Sequence, residues 1–377
     1  MKCAASFSNP PRRIDSPCSG REYNRPMSET HTHSHLWPGV PFALGSAVLF
    51  GASPPLSKIL LDAINPFLLA GLLYLGAGIG LAIYRLLKRG ERKEASLTKA
   101  DLPWLGIAIV MGGVIGPVLL LLGLSRISAS SGALLLNLEG LATMAIAWLV
   151  FRENFDRRLL LGASAILAGA LLLSWDGAGL TMSAGAIFVA GACLAWGIDN
   201  NFTRKISAVD PIVIAMTKGI VAGSVNVALA LSLGAHFPGL GFIAAAALLG
   251  FFAVGVSLVL FILALRHLGT ARTGAYFSLA PFIGALLAVV LLDEPLTAKL
   301  VLAGLLMGFG LWIHLTERHV HDHQHEALDH EHSHIHDEHH QHRHDGPVIE
   351  PHAHPHRHQP MHHAHVHYPD AHHRHGH

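Results

Sequence analysis

The stretch "YFSLAPFIGALLAVVLLDEPLTAKLVLAGLLMGFGLWI", Tyr276–Ile313, decides the fold. It holds two apolar runs divided by the acidic turn Asp293-Glu294-Pro295, and small residues crowd the second run. An earlier stretch, "LLLNLEGLATMAIAWLVFRENFDRRLLLGASAILAGALLL" at Leu134–Leu173, has the same design with Arg152-Glu153-Asn154 as its turn. A weaker echo joins "LFGASPPLSK" (Leu49–Lys58) to "AWGIDNNFTR" (Ala195–Arg204). The chain is written twice.

Composition says where such a repeat lives. Apolar residues make up 51% of the 377 and charged residues only 14%, against about 25% charged in an ordinary soluble domain. This is a membrane protein. A helix needs about 20 mostly apolar residues to cross about 30 Å of hydrocarbon. That ruler predicts ten spans, at 40–61, 66–84, 102–124, 129–150, 159–175, 183–203, 211–233, 240–264, 271–292 and 299–316. The predicted organisation is a disordered segment at 1–37, a first repeat at 38–176, a second at 177–318 and a disordered His-rich tail at 319–377. Five spans is an odd number, so the second copy enters the membrane upside down. Inverted repeats mark secondary transporters, whose substrate sites lie near the midplane where the halves meet. The bland alternative is that apolar helices resemble one another by composition, but the acidic turns and the charge pattern agree with a repeat.

Lys and Arg collect in cytoplasmic loops. Here one alternate set of loops carries Arg85, Lys88, Arg89, Arg92, Lys93, Lys99, Arg152, Arg157, Arg158, Arg204, Lys205, Arg266 and Arg272. The other set has Lys58, Arg126 and Lys299. Both termini are therefore expected in the cytoplasm, and the style of the chain points to a bacterial inner membrane. The first 37 residues lack the apolar core of a secretory signal. Met27, directly before "SETHTHSH", is offered as an alternative start; N-terminal sequencing that finds residues upstream of it in the native protein refutes that. Cys3, Cys18 and Cys193 share no motif spacing, so neither a disulfide framework nor a Cys-based zinc site is implied.

The segment "LAPFIGALLAVVLLDEPLTAKLVLAGLLMGFGLWI" resembles the closing part of EamA-type transporters of the drug/metabolite transporter superfamily, and "SRISASSGALLLNLEGLATMAIAWLVFREN" is similar to the same element in a first half. The resemblance covers roughly residues 40 to 316. It implies ten helices and a central cavity formed mainly by spans 3, 4, 8 and 9 with parts of 1 and 6. It also implies export or exchange of small organic solutes. One departure matters: Glu139 stands in the first half where the second has Pro281.

Glu139 sits about ten residues into span 4. A charged side chain at mid-helix costs about 2.5–3.5 kcal/mol on insertion scales. Such a carboxyl must face the bundle interior or a wet cavity, as a proton-coupling or cation-binding group does. The alternative is a protonated glutamate satisfied by hydrogen bonds between helices. Asn137 lies on a different face. In span 6, Asp199, Asn200 and Asn201 cannot all point one way, so some line a cavity or break the helix; alternatively they are the polar end of the span, paired with Arg204. Lys218 in span 7 is read as snorkelling to the cytoplasmic face in preference to acting as counter-ion to Asp199 or Glu139. Pro54 and Pro55 break the backbone ladder of span 1 and free carbonyls. Their counterpart in the repeat is the Asp199 region, so two interrupted helices are expected to face each other. Arg272 and Thr273 read as an anchor, and Trp37 and Trp104 as interfacial belt residues. Gly76, Gly80, Gly112 and Gly116 read as small-residue packing between helices.

The tail begins "HVHDHQHEALDHEHSHIHDEHHQHRHD" at His319, and 24 of the 30 histidines lie between His319 and His377. His319, His321, His323, His325, His330, His332, His334, His336, His339 and His340 alternate with acidic and small residues. Imidazole suits zinc, nickel, cobalt and copper, and a flexible chain assembles several weak, pH-sensitive sites rather than one cage. No cofactor is required otherwise. The spans themselves hold no central histidine and no Cys-x-x-Cys, and hard oxygen ligands suit magnesium or manganese better than nickel.

Three readings follow. The leading one is a proton-coupled or exchange-type exporter of a small metabolite or xenobiotic with a metal-binding tail. The second is a divalent-metal efflux transporter whose tail collects the ion. The third is a non-transporting anchor for a metal-storage or sensory tail. No nucleophile–base constellation points to an enzyme and nothing points to nucleic acid; the partners are the lipid bilayer and a small solute or metal ion, with oligomeric state open.

Overall fold

The computed structural model describes residues 39–88, 97–151, 157–175, 183–206, 209–316, 319–325, 328–334, 352–358 and 361–367. Met27, Trp37, the first two cysteines, the turn Arg152-Glu153-Asn154 and the tail residues His336, His339 and His340 lie outside them.

The apolar runs become helical rods: α1 (Gly39–Leu60), α2 (Pro66–Leu87), α3 (Leu102–Leu124) and α4 (Ala129–Val150), then α5 (Arg157–Ser174) and α6 (Ala184–Thr203). They continue as α7 (Pro211–Ser232), α8 (Leu240–Ala264), α9 (Thr273–Leu291) and α10 (Ala298–Leu315). Among the described residues, seven of these are long and apolar enough to cross a membrane, while α5 and α10 hold the shorter apolar stretches Leu160–Ser174 and Ala298–His314. The sequence predicted ten such spans, so length and hydropathy alone establish fewer. α6 is long enough at 20 residues but carries Asp199, Asn200 and Asn201.

Caps explain the boundaries. Asn65 and Asp210 each accept from the backbone N–H two residues on, at 3.0 and 2.9 Å, and each precedes a proline at the first helical position. Helical backbone continues between α8 and α9 through Phe277. Yet the rings of Phe261 and Phe277 are only 4.9 Å apart, whereas sixteen residues of straight helix would separate them by about 24 Å. The chain reverses there.

The packing repeats under exchange of the halves. α2 packs on α7 and α5 on α10; α1 packs on α8 and α9 as α6 packs on α3 and α4; α2 meets α8 as α7 meets α3. Each partnership maps onto another when five is added to the helix number. Interruptions follow the same symmetry. α4 and α9 are each broken by a two-residue turn, at 136–137 and 278–279, and α3 and α8 each contain a π-helical turn, Ile109–Ile115 and Phe251–Val256. The helix after the break starts at Leu138 in one half and Ala280 in the other, so Glu139 and Pro281 occupy matching positions.

The expected pair of broken helices is corrected by this. Span 1 is broken at Ala52 just before Pro54 and Pro55, both buried, but α6 runs unbroken through Asp199 to Thr203. Side chains of α6 satisfy their neighbours without opening the ladder. The carbonyl of Gly51, which the missing Pro55 N–H leaves unclaimed, lies against Gly284 of α9. Close packing is realised at Gly76, which abuts the backbone of Ala247 in α8.

The tail, expected to be disordered, contains four strands: β1 (His319–His325), β2 (Leu328–His334), β3 (His352–His358) and β4 (Met361–His367). β1 pairs antiparallel with β4 and β2 with β3, one ladder nested in the other. A residue repeated at every second position looks like low complexity, but two is also the period of a strand.

Candidate functional site

The polar centre is assembled where α4 of the first half meets α6 and α7 of the second. Three consecutive side chains of α6 divide between its neighbours: Asp199 faces α7, while Asn200 and Asn201 both reach Thr143 of α4. Asp199 turns to α7 and forms an ion pair with Lys218; the two side chains are 7% and 17% exposed. Its other oxygen accepts from Thr203 Oγ1 at 2.9 Å. Asn200 turns to α4, where its Nδ2 donates to Glu139 Oε1 at 3.0 Å and to Thr143 Oγ1 at 3.2 Å. Asn201 donates to the Thr143 and Gly197 carbonyls at 3.0 and 2.8 Å.

Lys218 does not snorkel. A buried carboxylate one helix away attracts it more strongly than headgroups reached through lipid, because charge attraction grows as water is excluded. Glu139, Asp199, Asn200 and Lys218 are thus brought together. Pro54 and Pro55 are not; they belong to the α1–α9 contact. Asn137 points elsewhere, its Nδ2 donating to Leu134 O at 2.8 Å and lying 3.8 Å from Met307 Sδ of α10. Trp104 stacks on Phe202 at 5.7 Å.

A second polar feature was not anticipated. Pro117 has no N–H to donate to the carbonyl four residues back, and the π-helical turn shifts the bonding around it. The freed carbonyls of Gly112 and Gly113 are taken up by three side chains from other helices. Tyr74 Oη of α2 donates to Gly112 O at 2.7 Å and Trp196 Nε1 of α6 at 3.0 Å. Asn226 Nδ2 of α7 donates to Gly113 O at 3.1 Å. Gly112 sits directly under the ion pair: a Cβ there would overlap the Asp199 carboxylate and stand 2.7 Å from Lys218 Nζ. The Gly112–Gly113–Pro117 run carries this signal in the sequence, yet it reads more simply as helix packing.

The loops at the two ends use different chemistry. Arg85 pairs with Asp210 at 2.9 Å where α2 ends and α7 begins. At the other end Lys58 Nζ donates to the carbonyls of Leu124 and Ile127. Glu294, from the acidic turn, accepts from the first free N–H groups of α4, Ala129 at 2.6 Å and Ser130 at 2.9 Å. Asp293 lies at φ 50°, a left-handed conformation that Asp tolerates better than most residues. That conformation reverses the chain beside Glu294. Among the described residues no three His, Cys, Asp or Glu side chains converge as a metal site.

Comparison with known proteins places this geometry. The model of the EamA-like transporter family matches residues 37–175 and again 183–316. An uncharacterized transporter of Methanothermobacter thermautotrophicus is 29% identical over 296 residues, which cover 74% of this chain and 86% of the relative. The uncharacterized transporter YyaM of Bacillus subtilis is 22% identical over 285 residues, 71% of this chain and 92% of the relative. One solved crystal structure superposes with a TM-score of 0.55 at 18% identity, covering 73% of this chain and 96% of its own; it shares the fold.

Proposed function

The chain belongs to the EamA-like transporter family, and we propose that it is a secondary-active exporter of a small metabolite or xenobiotic, coupled to protons through Glu139. The observation that carries this is the hydrogen bond between Asn200 of one repeat and Glu139 of the other. Lys218 is engaged by Asp199, so among the described residues the ionised form of Glu139 is held by a neutral donor. A carboxyl in a membrane interior without its own cation is a site for a proton or a cationic group. Its position where the two halves meet is where alternating access needs one. Asn200 is exposed while lying within α6, which fits a wet crevice better than lipid, since an amide facing hydrocarbon is costly.

In this reading all ten helices cross the membrane, with both termini in the cytoplasm of a bacterial cell. The loop charges support that orientation. The tail binds zinc, nickel, cobalt or copper and buffers the ion or gates the pore.

The test uses inverted membrane vesicles holding an acidic interior and a dye that reports proton release. The probes are the common amino acids, nucleosides, tetraphenylphosphonium, nickel and zinc. At least one organic solute should release protons from vesicles with the full chain and not from vesicles with Glu139→Gln. A chain truncated after Arg318 should keep that response. Release by nickel or zinc alone, or a panel indistinguishable from empty membranes, would overturn the reading.

A further inference from the structure

The two carboxyls of the polar centre are held differently. Asp199 has both oxygens occupied: one meets Lys218 Nζ and the other accepts from Thr203 Oγ1 at 2.9 Å. The pair is largely buried and seated on Gly112 with no space for a methyl group, so α3 closes one side of it. Glu139 has one donor among the described residues, the amide of Asn200 at 3.0 Å, which leaves its Oε2 open. Asn200 follows Asp199 directly in α6 and is exposed, whereas Asp199 is buried. Two neighbouring carboxyls thus differ in partner and in access to water. Asp199 and Lys218 both interact electrostatically with Glu139. Two further titratable groups, Tyr74 of α2 and Cys193 of α6, also interact with it. Both are neutral donors, to Gly112 O at 2.7 Å and to Leu135 O at 3.6 Å.

The charges of this centre do not cancel. Two carboxylates and one ammonium leave one excess negative charge, and a single proton removes it. Pairing decides which carboxyl takes that proton. An ammonium and a hydroxyl donor both stabilise a carboxylate's charge, whereas a neutral amide offsets less of the cost of burying it. We propose that Lys218 sets the proton count of the centre: it holds Asp199 ionised, so Glu139 alone takes up and releases a proton, one in each cycle. Lys218 acts through Asp199 and touches neither the proton nor the solute. The pair keeps its opposite charges throughout. The centre alternates between neutral, with Glu139 as the acid, and singly negative, with Glu139 as the carboxylate. Without Lys218 it would hold two carboxyls to neutralise and would exchange two protons. The cycle in which the proton is used is that of the exporter reading, on which this assignment rests.

The proton count is tested by chemical labelling with no solute present. The full chain, in membranes near neutral pH, is treated with dicyclohexylcarbodiimide, an apolar reagent that adds to protonated carboxyls. Peptide mass mapping locates the adducts. Glu139 should carry about tenfold more label than Asp199, or greater, as a difference of one pKa unit between them would give. In Lys218→Met a buried carboxylate without its cation takes up a proton instead of staying charged. Labelling of Asp199 should then rise about tenfold or more. Lys218→Arg keeps a cation and should leave Asp199 as sparsely labelled as in the full chain. Arg is bulkier than Met, so a role in packing alone would predict the opposite order. Asp199 labelled as heavily as Glu139 in the full chain would overturn the proposal with no substitution made. So would Asp199 still spared in Lys218→Met, or labelled equally in Lys218→Arg. Each of those results leaves the exporter reading standing. Conversely, proton release unchanged in Glu139→Gln vesicles would end that reading, and the labelling would still decide whether Lys218 keeps Asp199 ionised.

Discussion

At the scale of single residues, the centre is built from polar groups that each answer a specific vacancy in a helix. Gly112 and Gly113 offer carbonyls because Pro117 lacks an N–H and the π-helical turn shifts the bonding beside it, and Tyr74, Trp196 and Asn226 supply the donors. A net hydrogen bond contributes about 1 kcal/mol, whereas a buried carbonyl left without a donor costs about 1–3 kcal/mol. Trp196→Phe should therefore lower stability by about 1 kcal/mol, since Tyr74 still serves Gly112. Trp196→Phe combined with Tyr74→Phe should cost more than the two single changes added together. Thermal unfolding of the four proteins in one detergent measures this; strict additivity would mean the carbonyl finds another donor. Glu139 and Asp199 were visible in the sequence because charge inside an apolar run is costly and needs a reason. The direction of Lys218 was not visible. Snorkelling and pairing demand the same residue, and only the neighbouring helix decides between them.

Elements bring in residues that sequence distance conceals. The acidic turns served in the sequence as a mark of repetition. In the folded chain one of them also caps a helix, for Glu294 reaches α4 across 165 and 164 residues and accepts from Ala129 and Ser130. Two otherwise unpaired N–H groups and the positive end of a helix are met by one carboxylate. Ser128 is the local cap of the same helix, its Oγ accepting from Ser131 N at 3.3 Å. Glu294→Gln keeps an acceptor oxygen but loses the charge and one N–H partner, at an expected cost of about 1 kcal/mol; Glu294→Ala loses both, at about 2 kcal/mol. Hydrogen exchange at Ala129 and Ser130 should quicken in both variants, and equal protection in Glu294→Ala would show that Ser128 suffices. The breaks in α4 and α9 and the π-helical turns in α3 and α8 were largely illegible for a related reason. Periodicity reports that a helix exists, not where its ladder is interrupted. Proline marked the break in α1 correctly but not that α6, its partner in the repeat, stays whole.

For the whole molecule, the duplication was readable because an apolar run, a short acidic turn and a run rich in small residues recur in the same order in each half. The partner pattern of α1–α5 with α6–α10 shows the physical consequence, a bundle whose halves exchange into one another. The loops bearing Arg85 and Asp210 meet at one end, while Lys58, Glu294 and the start of α4 meet at the other. A cysteine at Ser125 and one at Thr297 should therefore label from one side of the membrane, and one at Asp101 from the opposite side. Labelling of Ser125 and Asp101 positions from a common face would refute the alternation. The tail obeys different physics, since it holds hardly any apolar surface to bury and its backbone ladders alone are marginal. Imidazoles bind metal only when neutral. The full chain should hold several zinc ions at pH 7.5, and the chain truncated after Arg318 none. Free histidine titrates near pH 6.5, so below that value protons displace the metal and the nitrogens cease to be ligands. At pH 5.5 bound zinc should fall by about tenfold or more, with affinity recovered on return to pH 7.5. Equilibrium dialysis with atomic absorption measures it. Zinc retained by the truncated chain would move the ligands into the bundle, where Asp199 and Glu139 would have to supply them. Zinc retained at pH 5.5 by the full chain would mean that carboxylates such as Asp322 and Glu331, not the histidines, hold the ion.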